Sequence, residues 1–135
     1  MADPISNLPP EIRKHFRLAA DGRAIVPDGE FFSLIEEAPD YAVGRDGTII
    51  RVAPKDRTRV GKVMKHWFIN GYPCVDLRAR DGAVLKRLVH RVVCRTFHGP
   101  PREEGMEGAH GDGNPANCSA ENLRWATHVE NEADK

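Results

Sequence analysis

The last third of the chain gathers side chains that could do chemistry on a phosphate or hold a metal ion. His110 is followed by Asp112 in a Gly-Asp-Gly-Asn-Pro run, eleven residues separate the histidine from Asn122, and eight separate Asn122 from Asn131. Gly113 and the Asn114-Pro115 step force a loop, so His110 is expected to end a strand beside it. Thr127 followed by Glu130 is the pattern of a capping box, which predicts a short final helix carrying His128 and Asn131. A histidine at a strand end and an amide on a helix can converge across such a loop. Their convergence would make a metal or phosphate site. An imidazole changes protonation near neutral pH, so it is also the side chain best suited to move a proton there.

The elements that position these residues follow from the patterning upstream. A helix is expected from about Pro9 to Ala20, with Ile12 and Phe16 on one face and Asp21-Gly22 as its stop. Glu30–Ile35 is apolar but too short to assign by period. From Tyr41 the pattern alternates in short stretches broken by Arg45-Asp46-Gly47, Asn70-Gly71 and Asp81-Gly82, which predicts small antiparallel strands joined by tight turns. Lys62–Lys65 is expected to be one of these strands. Leu88, Val89, Val92, Val93 and Phe97 return to helical spacing, so a basic amphipathic helix is expected over Lys86–Phe97, with Arg87, Arg91 and Arg95 along one flank. The fold class is therefore α+β: small antiparallel strands and a helix, ending in a compact C-terminal motif. Three segments are drawn: an N-terminal helical or irregular stretch (1–38), a basic strand-and-helix region (39–102), and the C-terminal motif (103–135).

The sequence of 135 residues has formal net charge zero, yet the charge is segregated. Residues 1–44 hold four basic and eight acidic side chains, 45–102 hold fourteen basic and four acidic, and 103–135 hold two basic and eight acidic. A basic surface gains affinity for a phosphate backbone by releasing counterions, so the middle block is the expected nucleic-acid surface. Within it, Arg57, Arg59, Lys62 and Lys65 on the central strands and loop join Arg87, Arg91 and Arg95 as candidate backbone contacts, which grip DNA without reading its sequence. The acidic N-terminal segment leaves room for a protein partner. Length excludes a large barrel or a two-domain enzyme. Cys74, Cys94 and Cys118 form no C-x-x-C pair, so neither a disulfide framework nor a thiolate zinc site is expected. With no long apolar span and no basic-then-apolar leader, the expectation is a soluble, cytoplasmic protein.

The spacing of His110, Asn122 and Asn131, in the context H-G-D-G-N, E-N-L-R-W-A-T and E-N, resembles the HNH endonucleases of the phage and homing-endonuclease type. Leu88–Phe97 resembles that family's V-H-R-L-V helix, and Tyr41–Gly47 its Y-x-V-S-x-x-G module. The resemblance implies a ββα-metal motif and phosphodiester hydrolysis of DNA, with double-stranded DNA the expected substrate, in a phage or its bacterial host. It implies that His110 is the general base, that Asn122 fastens the loop and orients His110, and that Asn131 holds one divalent cation, Mg²⁺ or Mn²⁺ by its oxygen ligation. It further implies products with 5′-phosphate and 3′-hydroxyl ends. The family supplies a second metal ligand immediately before the histidine, and here that residue is Ala109. Asp112 and His128 are the candidates to replace it. The alternative is a DNA-binding protein that keeps the fold without cleavage.

Overall fold

The computed structural model describes residues 4–55 and 60–133. Arg57 and Arg59 lie outside the described residues. A short helix α1 (Pro10–Arg13) leads into strand β1 (Phe16–Leu18), which pairs with β2 (Ile25–Pro27). Helix was expected as far as Ala20, but the turn stops at Arg13. The physical reason is tertiary: Phe16 is buried against Phe32, ring centroids 4.8 Å apart, and its backbone joins the ladder to Pro27. Burial of an aromatic ring and the strand's hydrogen bonds outweigh a helix propensity of tenths of a kcal/mol per residue.

Strands β3 (Phe32–Ile35), β4 (Ala38–Gly44) and β5 (Ile49–Arg51) form an antiparallel sheet in the order 3-4-5. Side chains alternate across a strand, and both faces of this sheet are covered. Tyr41, Val43 and Ile49 enter a core with Val75, Leu77, Val89, Val93 and Leu123. Ala42 and Ile50 enter a second core with Leu8, Phe16, Ile25 and Phe32. The sheet is thus a wall between two cores, which is why it reads as an almost continuous apolar run. The first core draws on residues from Ile35 to Leu123, so the basic region and the C-terminal motif share one interior. Lys62–Lys65 makes only a bridge, Ile50 to Val63, at the edge of β5 rather than the expected strand.

A second antiparallel sheet contains β6 (Trp67–Ile69), β7 (Tyr72–Arg78) and β8 (Val84–Leu88). Its first turn is Asn70-Gly71, with φ of 52° and 85°. These left-handed values are those of a type I′ hairpin and explain the Asn-Gly pair. Helix α2 (Val89–His98) begins directly after β8. It starts three residues later than expected because Lys86, Arg87 and Leu88 are paired with Asp76, Val75 and Cys74 of β7. Arg87 is therefore a strand residue, not part of the helix flank. The C-terminal motif is a hairpin of β9 (Glu107–His110) and β10 (Leu123–Ala126), followed by α3 (His128–Ala133). This is the ββα order expected for the motif.

Candidate active site

Strand β9 pairs antiparallel with β10, placing His110 opposite Leu123 and Ala109 opposite Arg124. The residues between the two strands form a loop closed by side chains. Asn122 Oδ1 accepts the Asp112 backbone N–H at 3.1 Å, and Asn122 Nδ2 donates to Asp112 Oδ1 and to the Asn117 carbonyl, both at 3.0 Å. Asp112 also accepts the Asn114 N–H at 2.9 Å and Asn117 Nδ2 at 2.8 Å. At the loop's mouth the Gly111 N–H bonds the Asn122 carbonyl at 2.7 Å. A side chain at Gly111 would press on that same carbonyl and on Asn122 Oδ1, at 3.3 and 3.2 Å. Hydrogen bonds from Asn117, Asn114 and Asn122 hold the Asp112 carboxyl below its ordinary pKa.

His110 leaves this clasp half-buried at the strand end. Burial lowers its pKa from the ordinary histidine value, with the Asp112 charge and the Pro115 carbonyl opposing the shift. A neutral imidazole at neutral pH is what a general base requires. Its Nε2 is buried and has no hydrogen-bond partner.

Helix α3 opens with the predicted capping box: the Thr127 N–H bonds Glu130 Oε1 and the Glu130 N–H bonds Thr127 Oγ1, both at 3.1 Å. The helix carries Asn131 to a cleft of about 320 Å³ that is also lined by Asn70, Tyr72, His90, Arg91 and Glu107. His128, on the same helix, is exposed, and its Nδ1 is 2.8 Å from Glu107 Oε1.

His90, on α2, lies against the His110 strand end. The His90 and His110 rings lie 4.7 Å apart between centroids, and Tyr72 tilts over both, at 5.6 and 5.9 Å. Gly108 permits this approach, since a Cβ there would stand 2.6 Å from His90 Cδ2. His90 is 5% exposed and its Nδ1 has no hydrogen-bond partner. Burial, aided by the His110 and Arg91 charges, takes its pKa down to about 4. The sequence carried one signal: His90 sits three and four residues before Val93 and Cys94, on the face of α2 that enters the core.

The residues present fit a divalent cation in one respect, since a carboxamide and an imidazole with an orphaned buried nitrogen share a cleft. Among the described residues no group of three His, Cys, Asp or Glu side chains is arranged to hold a metal ion. Asp112 and His128 do not line the cleft that Asn131 lines. Ala109 is 2% exposed and offers only a methyl group.

Of the candidate DNA contacts, Arg91, Arg95, Lys62 and Lys65 are exposed. Arg91 lines the cleft and lies over the Trp125 ring at 5.1 Å. Arg87 instead forms a two-pronged pair with Glu37, at 2.8 and 3.2 Å.

Residues 87–133, which carry His110, Asn122 and Asn131, match the HNH endonuclease family. Those residues run from the end of β8 through α2 and the C-terminal hairpin to α3. The structure is similar to that of the HNH homing endonuclease I-HmuI, described for its DNA binding and cleavage. The two share 28% identity at a TM-score of 0.63, over 76% of this chain and 56% of that one. The chain thus matches little more than half the length of that enzyme. No curated protein matches the chain as a relative. Among the described residues no helix is long and apolar enough to cross a membrane.

Proposed function

We propose that the chain is a metal-dependent DNA endonuclease that hydrolyses phosphodiester bonds. The observation that carries this reading is His110, a neutral, half-buried imidazole fixed at a strand end by the Asn122–Asp112 clasp, beside a cleft that presents Asn131. Hydrolysis needs a nucleophile in line, neutralisation of the phosphate and support for the leaving oxygen. His110 takes the proton from the attacking water. Asn131 holds the cation through its amide oxygen. A divalent cation bound there, Mg²⁺ or Mn²⁺, supplies charge for the phosphate and for the departing 3′ oxygen. Asn122 acts through the loop and keeps the His110 ring from swinging. Arg91 at the cleft and Arg95, Lys62 and Lys65 on the surface contact the phosphate backbone of double-stranded DNA. The products carry 5′-phosphate and 3′-hydroxyl ends.

Nicking of supercoiled plasmid in Mg²⁺ or Mn²⁺, abolished by EDTA, tests the reading. Replacement H110A is expected to lower the rate by about 10² to 10⁴, the usual contribution of a positioned acid–base group. Undiminished nicking by H110A removes the histidine from its role. One observation favours a second reading, a DNA-binding protein without cleavage: the ligand position before the histidine is the buried Ala109. Plasmid that is retarded but never cut, whatever the metal, decides for it.

A further inference from the structure

We infer that His90 is a ligand of the same divalent cation, standing in for the residue missing at Ala109, and that the site therefore selects Mn²⁺, Co²⁺ and related transition metals over Mg²⁺. The inference rests on the endonuclease reading for the location of the cation at Asn131, and it names a ligand and a metal class that reading leaves open.

Three observations carry it. First, the two replacements suggested by sequence are committed elsewhere. Both Asp112 oxygens accept N–H groups of the loop, from Asn114, Asn122 and Asn117. His128 Nδ1 faces Glu107 at 2.8 Å. Second, His90 and Asn131 line one cleft, although they come from different helices, 41 residues apart in the sequence. Third, His90 is 5% exposed with a ring nitrogen that has no hydrogen-bond partner. Buried polar atoms are nearly always bonded, and an orphan calls for a cause such as an ion. A buried polar nitrogen left without a partner destabilises the fold, and a bound cation would remove that penalty.

The backbone makes room for this ring. At Gly108 any side chain would strike His90 Cδ2, at 2.6 Å from the Cβ position. The His90 ring lies 4.7 Å from the His110 ring, so a cation that His90 would hold would supply charge close to the base. Imidazole is a poor ligand for Mg²⁺, which prefers oxygen and keeps its waters, and a good one for first-row transition metals.

The test needs no DNA. Mn²⁺ binding is measured by calorimetry, and the nitrogen couplings of the bound ion are read by pulsed EPR, on the full chain. Wild type is expected to bind Mn²⁺ at least about tenfold more tightly than Mg²⁺ and to show imidazole nitrogen coupling. H90Q is expected to lose that coupling and to bind Mn²⁺ about 10- to 100-fold more weakly, the range for loss of an ordering or ligating group. N131A should weaken binding as well. Equal Mn²⁺ affinity in H90Q and wild type overturns the assignment, as does a spectrum without nitrogen coupling. Should H90Q fail to fold, H110A/H128A leaves His90 in place: persistence of the coupling supports the assignment, and its loss overturns it. A chain that binds Mn²⁺ through His90 but leaves plasmid intact overturns only the endonuclease reading. One that nicks plasmid with no histidine nitrogen on the metal overturns only the His90 ligand.

Discussion

In the loop between β9 and β10, Asp112, Asn117 and Asn122 use their polar atoms on one another and on the backbone. At the seam between β9 and α2, a few ångströms away, two imidazole nitrogens are buried with no hydrogen-bond partner. The two regions share the His110 strand end and treat polarity in opposite ways. The loop satisfies its groups because its task is geometry: each bond removes a degree of freedom from the residue that follows. The seam leaves His90 Nδ1 and His110 Nε2 unsatisfied, which folding alone gives no reason to do. Departures from local satisfaction of this kind concentrate where a protein acts on something else.

The largest effect expected from this contrast is a pH dependence of stability that belongs to the seam. In the metal-free chain His90 titrates near about 4, because it is buried and faces His110 and Arg91, against an ordinary value of 6.5. The unfolded chain therefore binds a proton below about pH 6.5 that the folded chain does not bind until about 4. Stability is full above that window and falls as pH drops through it, by about 3 kcal/mol in total at 1.36 kcal/mol per unit. His110, also lowered by burial, adds a loss of the same sign. Urea unfolding in EDTA at several values between pH 7 and pH 4 measures it. H90Q should show a distinctly flatter profile than wild type; parallel profiles would mean that the seam holds no such group.

The loop should respond differently. N122A removes the acceptor of the Asp112 N–H and the donor to the Asn117 carbonyl and the Asp112 carboxylate. Because this loop is partly solvated, freed groups can turn to water, and a loss of about 1–2 kcal/mol is expected, within the range for a lost hydrogen-bond partner. It should be nearly independent of pH between 7 and 5. Plasmid nicking should fall about tenfold or more through misorientation of His110, while Mn²⁺ affinity stays as in wild type. A drop in affinity equal to that of N131A would mean that the clasp shapes the metal site as well as the base.

What was legible in the sequence was local. The Asn70-Gly71 turn, the His110 strand end and the Thr127–Glu130 box each span a few residues, so residue types alone fix them, whereas the Asn122 clasp was expected only from the family resemblance. The basic helix was legible too, but its start was not, since pairing of Lys86–Leu88 with β7 is a contact between elements. The same holds for α1, cut short when Phe16 is claimed by Phe32 across the N-terminal core. His90 shows most clearly why the site was only half visible. Its neighbours Tyr72, Gly108 and His110 come from β7 and β9, and no spacing within α2 encodes them. Arg87 was misread for a related reason: helical periodicity gave it a place beside Arg91, whereas the ladder of β8 turns it to Glu37.

The smallest expected effect separates the clasp from the helix that faces it. T127A removes the hydroxyl that accepts the Glu130 N–H, one half of the capping box, for about 1 kcal/mol of local helix stability. Helix α3 is six residues long and its Val129 is 78% exposed, so little of the core depends on it. The thermal midpoint should hardly move, whereas amide exchange across residues 129–132 should quicken about fivefold, as about 1 kcal/mol implies. Fraying spreads Asn131 over more positions, and Mn²⁺ affinity should fall a few-fold with it. A midpoint lowered as far as that of N122A would show that the helix is welded to the hairpin, and the metal-holding side of the site would then be as rigid as the side that holds His110.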